Sequence, residues 1–185
     1  PPPQVAVLQE SDWQAAYAAS LERALELVKA GELRKLVLAV RQELCLDRQL
    51  DPLRLLDTLR NSQPGSCRFL WQRSTREALL GASPERLLTV RQGQLRCDAL
   101  AGTASRPAAG GLLHSTKDRH EHELVVDAIT QTLQKLGLQA RRPRHPRLAR
   151  HGDLVHLHTP ITAGIAGRSP LALAQALHPT PAVAG

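Results

Sequence analysis

The 185-residue chain predicts an α+β fold, antiparallel or mixed β-sheets flanked by helices, on three observations. Two long stretches, one opening at Trp13 and one near Lys117, repeat apolar residues every three or four positions, the spacing of an amphipathic helix. Short runs rich in Leu, Val and Ile are punctuated by Gly, Pro and Asn, as strands and their turns are. Helices and strands do not alternate regularly, which favours a layered sheet over a doubly wound one.

Taken in order, Ser11 and Asp12 are helix caps. Trp13, Tyr17, Leu21 and Leu25, with Ala24 and Val28 alongside, make a helix docked on a core until Gly31 closes it. Residues 33–46, LRKLVLAVRQELCL, are apolar on both faces in their first half, as expected of an interior strand. Asp51 and Pro52 start a second helix presenting Leu53, Leu56 and Leu59. After NSQPGS, the segments CRFLWQR and REALLGAS read as two strands. RLLTV, the turn RQGQ and LRCDAL form a hairpin that ends in AGTASR. The loop RPAAGGLLHST leads to the strongest helix, about Lys117 to Leu136, striped by Val125, Ile129, Leu133 and Leu136 and stopped by Gly137. The basic stretch RRPRHPRLARH follows, then a strand in DLVHLHTPITAGIAG and a short helix LALAQAL.

Composition narrows the class. With 42% hydrophobic residues and four aromatics, the core must be built of Leu, Val, Ile and Ala, and disorder is excluded. No apolar run approaches the roughly 20 residues of a membrane span, and the N-terminal residues lack a signal peptide's pattern. A cytoplasmic protein without a membrane partner is expected. Cys45, Cys67 and Cys97 are odd in number, have no Cys-x-x-Cys spacing and sit in apolar contexts, so they read as small buried thiols of a reducing compartment. The net charge of +7 raises nucleic acid as a partner. Lys135, Arg141, Arg142, Arg144, Arg147 and Arg150 carry most of it within one helix end and its following stretch. No aromatic is interleaved there to stack on bases, so the stretch reads as a solvated connection and no nucleic-acid partner is expected.

Several residues invite chemistry. Lys35 shares its predicted strand face with Leu33, Val37 and Ala39. A buried lysine can serve as a neutral general base, and bringing its pKa from about 10.4 to about 7 costs roughly 4 to 5 kcal/mol. The alternative is an edge lysine whose ammonium snorkels into water. Glu85 follows the Ser83–Pro84 turn and is either a general acid in apolar surroundings or an ordinary turn glutamate. Glu121 lies four residues before Val125, on the apolar stripe, with Asp118 one turn earlier. A carboxylate so placed needs a cation, and hard oxygen donors point to Mg²⁺. Asp118 alone could be plain dipole complementation. His120 and His122 are two apart and diverge on a helix, which excludes an H-E-x-x-H zinc site. Gly102 and Thr103 offer donors to an anion at a strand end. His156 and His158 share a strand face and could bind a polar ligand or simply pack.

Taken together and in order, RKLVLAV, GASPERL, ALAGTASR, KDRHEHELVVDAI, LVHLHTPITAG and LHPTPAVAG closely resemble the chorismate-binding enzymes, isochorismate synthases in particular. The resemblance runs from about Trp13 to Gly185. It implies the anthranilate synthase component I-like fold of stacked sheets between helices, with chorismate as substrate and Mg²⁺ as cofactor. It further implies Lys35 as the base activating water for attack at carbon 2 and Glu85 as the acid protonating the departing carbon 4 hydroxyl. Glu121 becomes a Mg²⁺ ligand with Asp118 supporting through water, and Gly102, Thr103, His156 and Ala182 line the substrate pocket. Aminating relatives usually carry glutamine where Lys35 stands, and aminodeoxychorismate synthases lysine at Ala101. Salicylate-forming relatives tend to have threonine at Ala182. An isomerase serving quinone or siderophore synthesis is therefore expected ahead of a salicylate- or anthranilate-type enzyme, with a basic nucleic-acid module as the rival from another class. Departures exist: Val40 replaces the family's usual arginine, with Arg41 following. Residues 1–185 would be a partial domain, short of a second Glu cluster and inactive alone, from a parent expected to be a monomer or homodimer.

Overall fold

The computed structural model describes residues 3–8 and 13–183. In chain order the elements are β1 (Val5–Leu8), α1 (Trp13–Lys29), β2 (Leu44–Leu46), α2 (Pro52–Ser62), β3 (Cys67–Ser74), β4 (Glu77–Ser83), β5 (Thr89–Arg91) and β6 (Gln94–Ser105). A 3-10 turn at Arg106–Ala108 then runs into α3 (Ala109–Leu112), followed by α4 (Thr116–Lys135), β7 (Arg147–His151), β8 (Leu154–Gly164) and α5 (Pro170–Leu177). Every strand pairing among the described residues is antiparallel: β1 with β2, β3 with β4, and a four-stranded sheet in the order β5-β6-β8-β7. The chain is thus α+β, as its pattern of elements predicts.

Turn chemistry fixes several joints. Gln92 and Gly93 both have positive φ (50° and 72°), the signature of the two-residue turn whose twist suits a tight hairpin between β5 and β6. Asp51 caps α2 by accepting from the Leu53 and Arg54 amides at 2.9 and 3.3 Å. Ser115 does the same for α4 through the Asp118 amide. At the far end of α4, Gly137 takes the left-handed conformation, its amide donating to Gln134 O while the Leu138 amide donates to Leu133 O. That double bond is the Schellman motif, and Leu133 and Leu138 are both buried in the same core, the apolar contact that usually accompanies it.

The core lies on one face of the four-stranded sheet. Alternate residues of β6 (Leu95, Cys97, Ala99, Ala101) and of β8 (Ile161, Ala163) are buried under Val125, Val126, Ile129 and Leu133 of α4, with Leu173 and Leu177 of α5 beside them. Period-two alternation is what an antiparallel sheet with one covered face requires. The small side chains in the middle of β6 let the helix approach closely. A smaller cluster, Leu112, Val155 and Leu157, seals the other end.

Four expectations need correction. Only Leu44–Leu46 of residues 33–46 form a strand; the rest runs in no ladder, and Leu36, Val37 and Val40 are exposed, because no described strand offers them a neighbour. Helix α1 forms, closed by Gly31 (φ 76°), but it is not docked: among its described residues only Ala24 is buried, and Tyr17, Leu21, Leu25 and Val28 face outward. The expected caps Ser11 and Asp12 lie outside the described residues. Cys97 is buried as expected, whereas Cys45 and Cys67 are exposed, on the two-stranded sheets β1-β2 and β3-β4 respectively. Lastly, the basic stretch is not wholly a solvated connection, since Arg147–His151 is the edge strand β7. No helix among the described residues is long and apolar enough to cross a membrane.

Polar residues are buried as well, His122 and Thr159 among them. His122 is 1% exposed, its Nε2 is 2.7 Å from Thr159 Oγ1, and Nδ1 is buried without a well-formed hydrogen bond. Burial pushes the imidazole down to about 4, against a lesser upward pull from the Ala101 backbone. The unfolded ring therefore binds a proton between about pH 6.5 and 4 that the folded ring refuses. The neutral ring's contribution is complete above the unfolded value and is lost as pH falls toward about 4. Chemical denaturation across that interval is expected to show up to about 3 kcal/mol of loss that His122→Gln removes. In the same assay, Leu133→Ala should cost about 2–5 kcal/mol, while Leu53→Ala, on an exposed position, stays within about 0.5 kcal/mol.

Candidate active site

A cavity of about 210 Å³ opens where β6 passes the first turns of α4, and Glu85, Gly102, Thr103, Glu121, His156 and Ala182 all line it. Five different segments converge there. The β6 strand delivers Gly102 and Thr103; α4 delivers Glu121; β8 delivers His156, the register partner of Thr103. The turn after β4 brings Glu85 and the segment after α5 brings Ala182, while Pro84, Leu100 and Ala101 supply apolar wall.

Gly102 is the joint. The β6–β8 register shifts between Ala101 and Thr103, and Gly102 takes φ +75°, a bulge conformation that disfavours any side chain. A Cβ at Gly102 would sit 3.1 Å from Asp118 Cβ, so the helix packs directly on the bulge. Asp118 therefore belongs to the site's frame. Thr103 and His156 share a hydrogen bond of 2.9 Å between Oγ1 and Nδ1. Burial, and next the neighbouring His151 ring, lowers the His156 pKa, so the ring is neutral at pH 7.

Lys35 arrives differently from expectation. It lies on no strand face; the extended segment after α1 carries it, and its side chain, 11% exposed, is gripped at the tip. Its Nζ donates to the Pro181 carbonyl and lies 3.5 Å from Glu121 Oε1. Glu85 is half-buried, and the Ser83 hydroxyl accepts from its amide and donates to its carbonyl, holding the turn. Burial raises the Glu85 carboxyl above the ordinary glutamate value, with the Lys35 charge pulling the other way. A carboxyl that resists ionising can hold a proton to give, and the lysine nearby is a group that can take one.

His158 does not join the cavity. Its Nε2 lies 2.7 Å from Asp98 Oδ1, with Arg96 bonded to the same oxygen. The sequence reading missed Asp98 and His122. A register of β6 against β8 would have signalled Asp98, two residues from the His158 partner Leu100.

Among the described residues no group of three or more His, Cys, Asp or Glu side chains is placed to hold a metal ion. Glu121 nevertheless presents a hard carboxylate to the cavity. Mg²⁺ accepts one or two carboxylates and completes its shell with water and substrate oxygens, so Glu121 fits as a single ligand.

The chain matches the chorismate binding enzyme family over residues 1–185. It is 39% identical over 178 residues to the salicylate biosynthesis isochorismate synthase of Pseudomonas aeruginosa, covering 91% of this chain and 37% of that protein. The solved structure of DhbC from Bacillus anthracis, assigned as a 2,3-dihydroxybenzoate-specific isochorismate synthase, superposes with TM-score 0.85 at 31% identity, over 91% of this chain and 49% of that one. Anthranilate synthase component I from Streptococcus pneumoniae shares the fold, with TM-score 0.72 at 16% identity over 96% of this chain and 40% of that one. The chain thus spans between about a third and a half of the length of these relatives. Together the matched length and the converged cavity establish that this chain belongs to the chorismate-binding enzyme family.

Proposed function

We propose that the chain carries the acid-base apparatus of an isochorismate synthase, which isomerises chorismate by adding water at carbon 2 and expelling the hydroxyl at carbon 4. The observation that supports it best is that Glu85, Thr103, His156 and Glu121 border one cavity while Lys35 Nζ lies 3.5 Å from Glu121 Oε1. In its amine form Lys35 takes a proton from the attacking water. The carbon–oxygen bond forms at carbon 2, the ring double bonds shift, and the carbon 4 hydroxyl leaves as water with the proton Glu85 gives it. Burial of Glu85 supports this role because it keeps the proton on the acid. Gly102 and the Thr103–His156 pair offer an amide, a hydroxyl and a neutral ring to the polar edge of the substrate.

Glu121, with Asp118 behind it through water, is the proposed holder of Mg²⁺. When bound there, the ion supplies positive charge against a substrate carboxylate. Ala182 on the cavity wall leaves that side small and apolar, which favours isochorismate as the end product over further elimination. The relatives' names attach such enzymes to menaquinone, 2,3-dihydroxybenzoate or salicylate, and the proposal here is confined to the shared isomerisation.

In the full-length protein, Lys35→Ala and Glu85→Gln should each lower kcat by about 10²- to 10⁴-fold with little change in the folded content by circular dichroism. Because Glu85 must be protonated to act, the rate should fall as pH rises through its raised pKa, and Glu85→Asp should move that alkaline limb. Activity surviving within about tenfold in either knockout would remove that residue from the chemistry.

A further inference from the structure

We propose that the four-stranded sheet carries a second binding site, separate from the catalytic cavity, that takes a small oxyanion bearing carboxylate or phosphate groups. The residues of β6 that alternate with its buried ones face away from α4, and there Arg96 and Asp98 border a cavity of about 250 Å³. Arg86 lines it from the turn after β4, Arg150 and His151 from β7, and His158 from β8.

Charge decides what such a space accepts. Three guanidiniums line it against one carboxylate. The Asp98 charge is already matched: His158 lies 2.7 Å from its Oδ1, and Arg96 donates to the same oxygen at 2.8 and 3.0 Å. Those contacts, His158 first, hold the Asp98 carboxyl below the usual carboxylate range despite its partial burial. Arg86 and Arg150, in contrast, have no ion-pair partner among the described residues. Two unmatched guanidiniums, one from the turn after β4 and one from β7, line this concave site and present planar forks that suit carboxylate or phosphate oxygens. Solvation alone could satisfy them, but it would not produce saturable, one-to-one anion binding.

The site adjoins the catalytic cavity without merging with it. Pro84 and Leu100 border both, and Arg86 is the chain neighbour of Glu85. An anion engaging Arg86 would therefore tether the turn that presents Glu85. The proposal does not depend on which reaction the neighbouring cavity performs.

Isothermal titration of the whole chain with inorganic phosphate and, separately, citrate, at ionic strength held constant with sodium chloride, tests it. Saturable one-to-one binding is expected for at least one of the two, and the preferred anion distinguishes a phosphate ligand from a carboxylate one. Arg86→Gln and Arg150→Gln, both at exposed positions and checked for folding by circular dichroism, should each weaken it about tenfold or more, the worth of one charge-assisted contact. Thr103→Val, whose side chain borders the catalytic cavity and not this one, should leave it unchanged. No saturable binding, binding indifferent to both arginine variants, or binding abolished by Thr103→Val would each overturn the proposal.

Discussion

The site rests on one close approach, the packing of α4 onto the bulge at Gly102. At that point β6 breaks register with β8, the backbone takes a conformation only glycine adopts without strain, and Asp118 fills the space a side chain would need. Because the helix is seated there, Glu121 reaches the cavity one turn later, and Thr103 turns toward His156 on the adjacent strand. The buried stripe of α4 and the small residues of β6 supply the energy of this contact. The bulge supplies its geometry. His122 ties the same helix to Thr159 of β8 immediately behind the site, so helix, bulge and both long strands act as one frame.

Within that frame the charges are arranged by contact rather than by regular structure. Lys35 comes from a segment without a ladder, and its position is set at the tip of the side chain, by the Pro181 carbonyl and the Glu121 carboxylate. The segment after α1 is thereby joined to the segment after α5. Glu85 is set from another direction, by a serine that bonds both its amide and its carbonyl. The amine and the acid thus belong to different elements and meet only in the folded chain, while the polar donors between them belong to the sheet.

How much of this was legible in the sequence follows from the range of each signal. The helix α4, its stop at Gly137 and the Gln92–Gly93 hairpin are local, and periodicity and turn chemistry read them correctly. Residues 33–43 were misread because an apolar run on both faces says what a segment wants to bury and not what stands beside it. The outward stripe of α1 has the same cause. For the site, spacing alone left Lys35, Glu85 and Glu121 each with an ordinary alternative. Their motif order, through the family resemblance, favours the functional alternative, and the structure places Glu85 and Glu121 on one cavity with Lys35 against Glu121. Asp98 and His122 were not legible, since one depends on cross-strand register and the other on a buried neighbour of a residue already singled out.

The central claim is that this cavity adds a water oxygen to the ring and stops there. The most direct measurement is to give the full-length protein chorismate in water enriched in oxygen-18 and to analyse the product by mass spectrometry. The account predicts isochorismate carrying one solvent oxygen at carbon 2, with neither pyruvate released nor ammonia required. An unlabelled product, release of pyruvate, or turnover that depends on ammonia would contradict it.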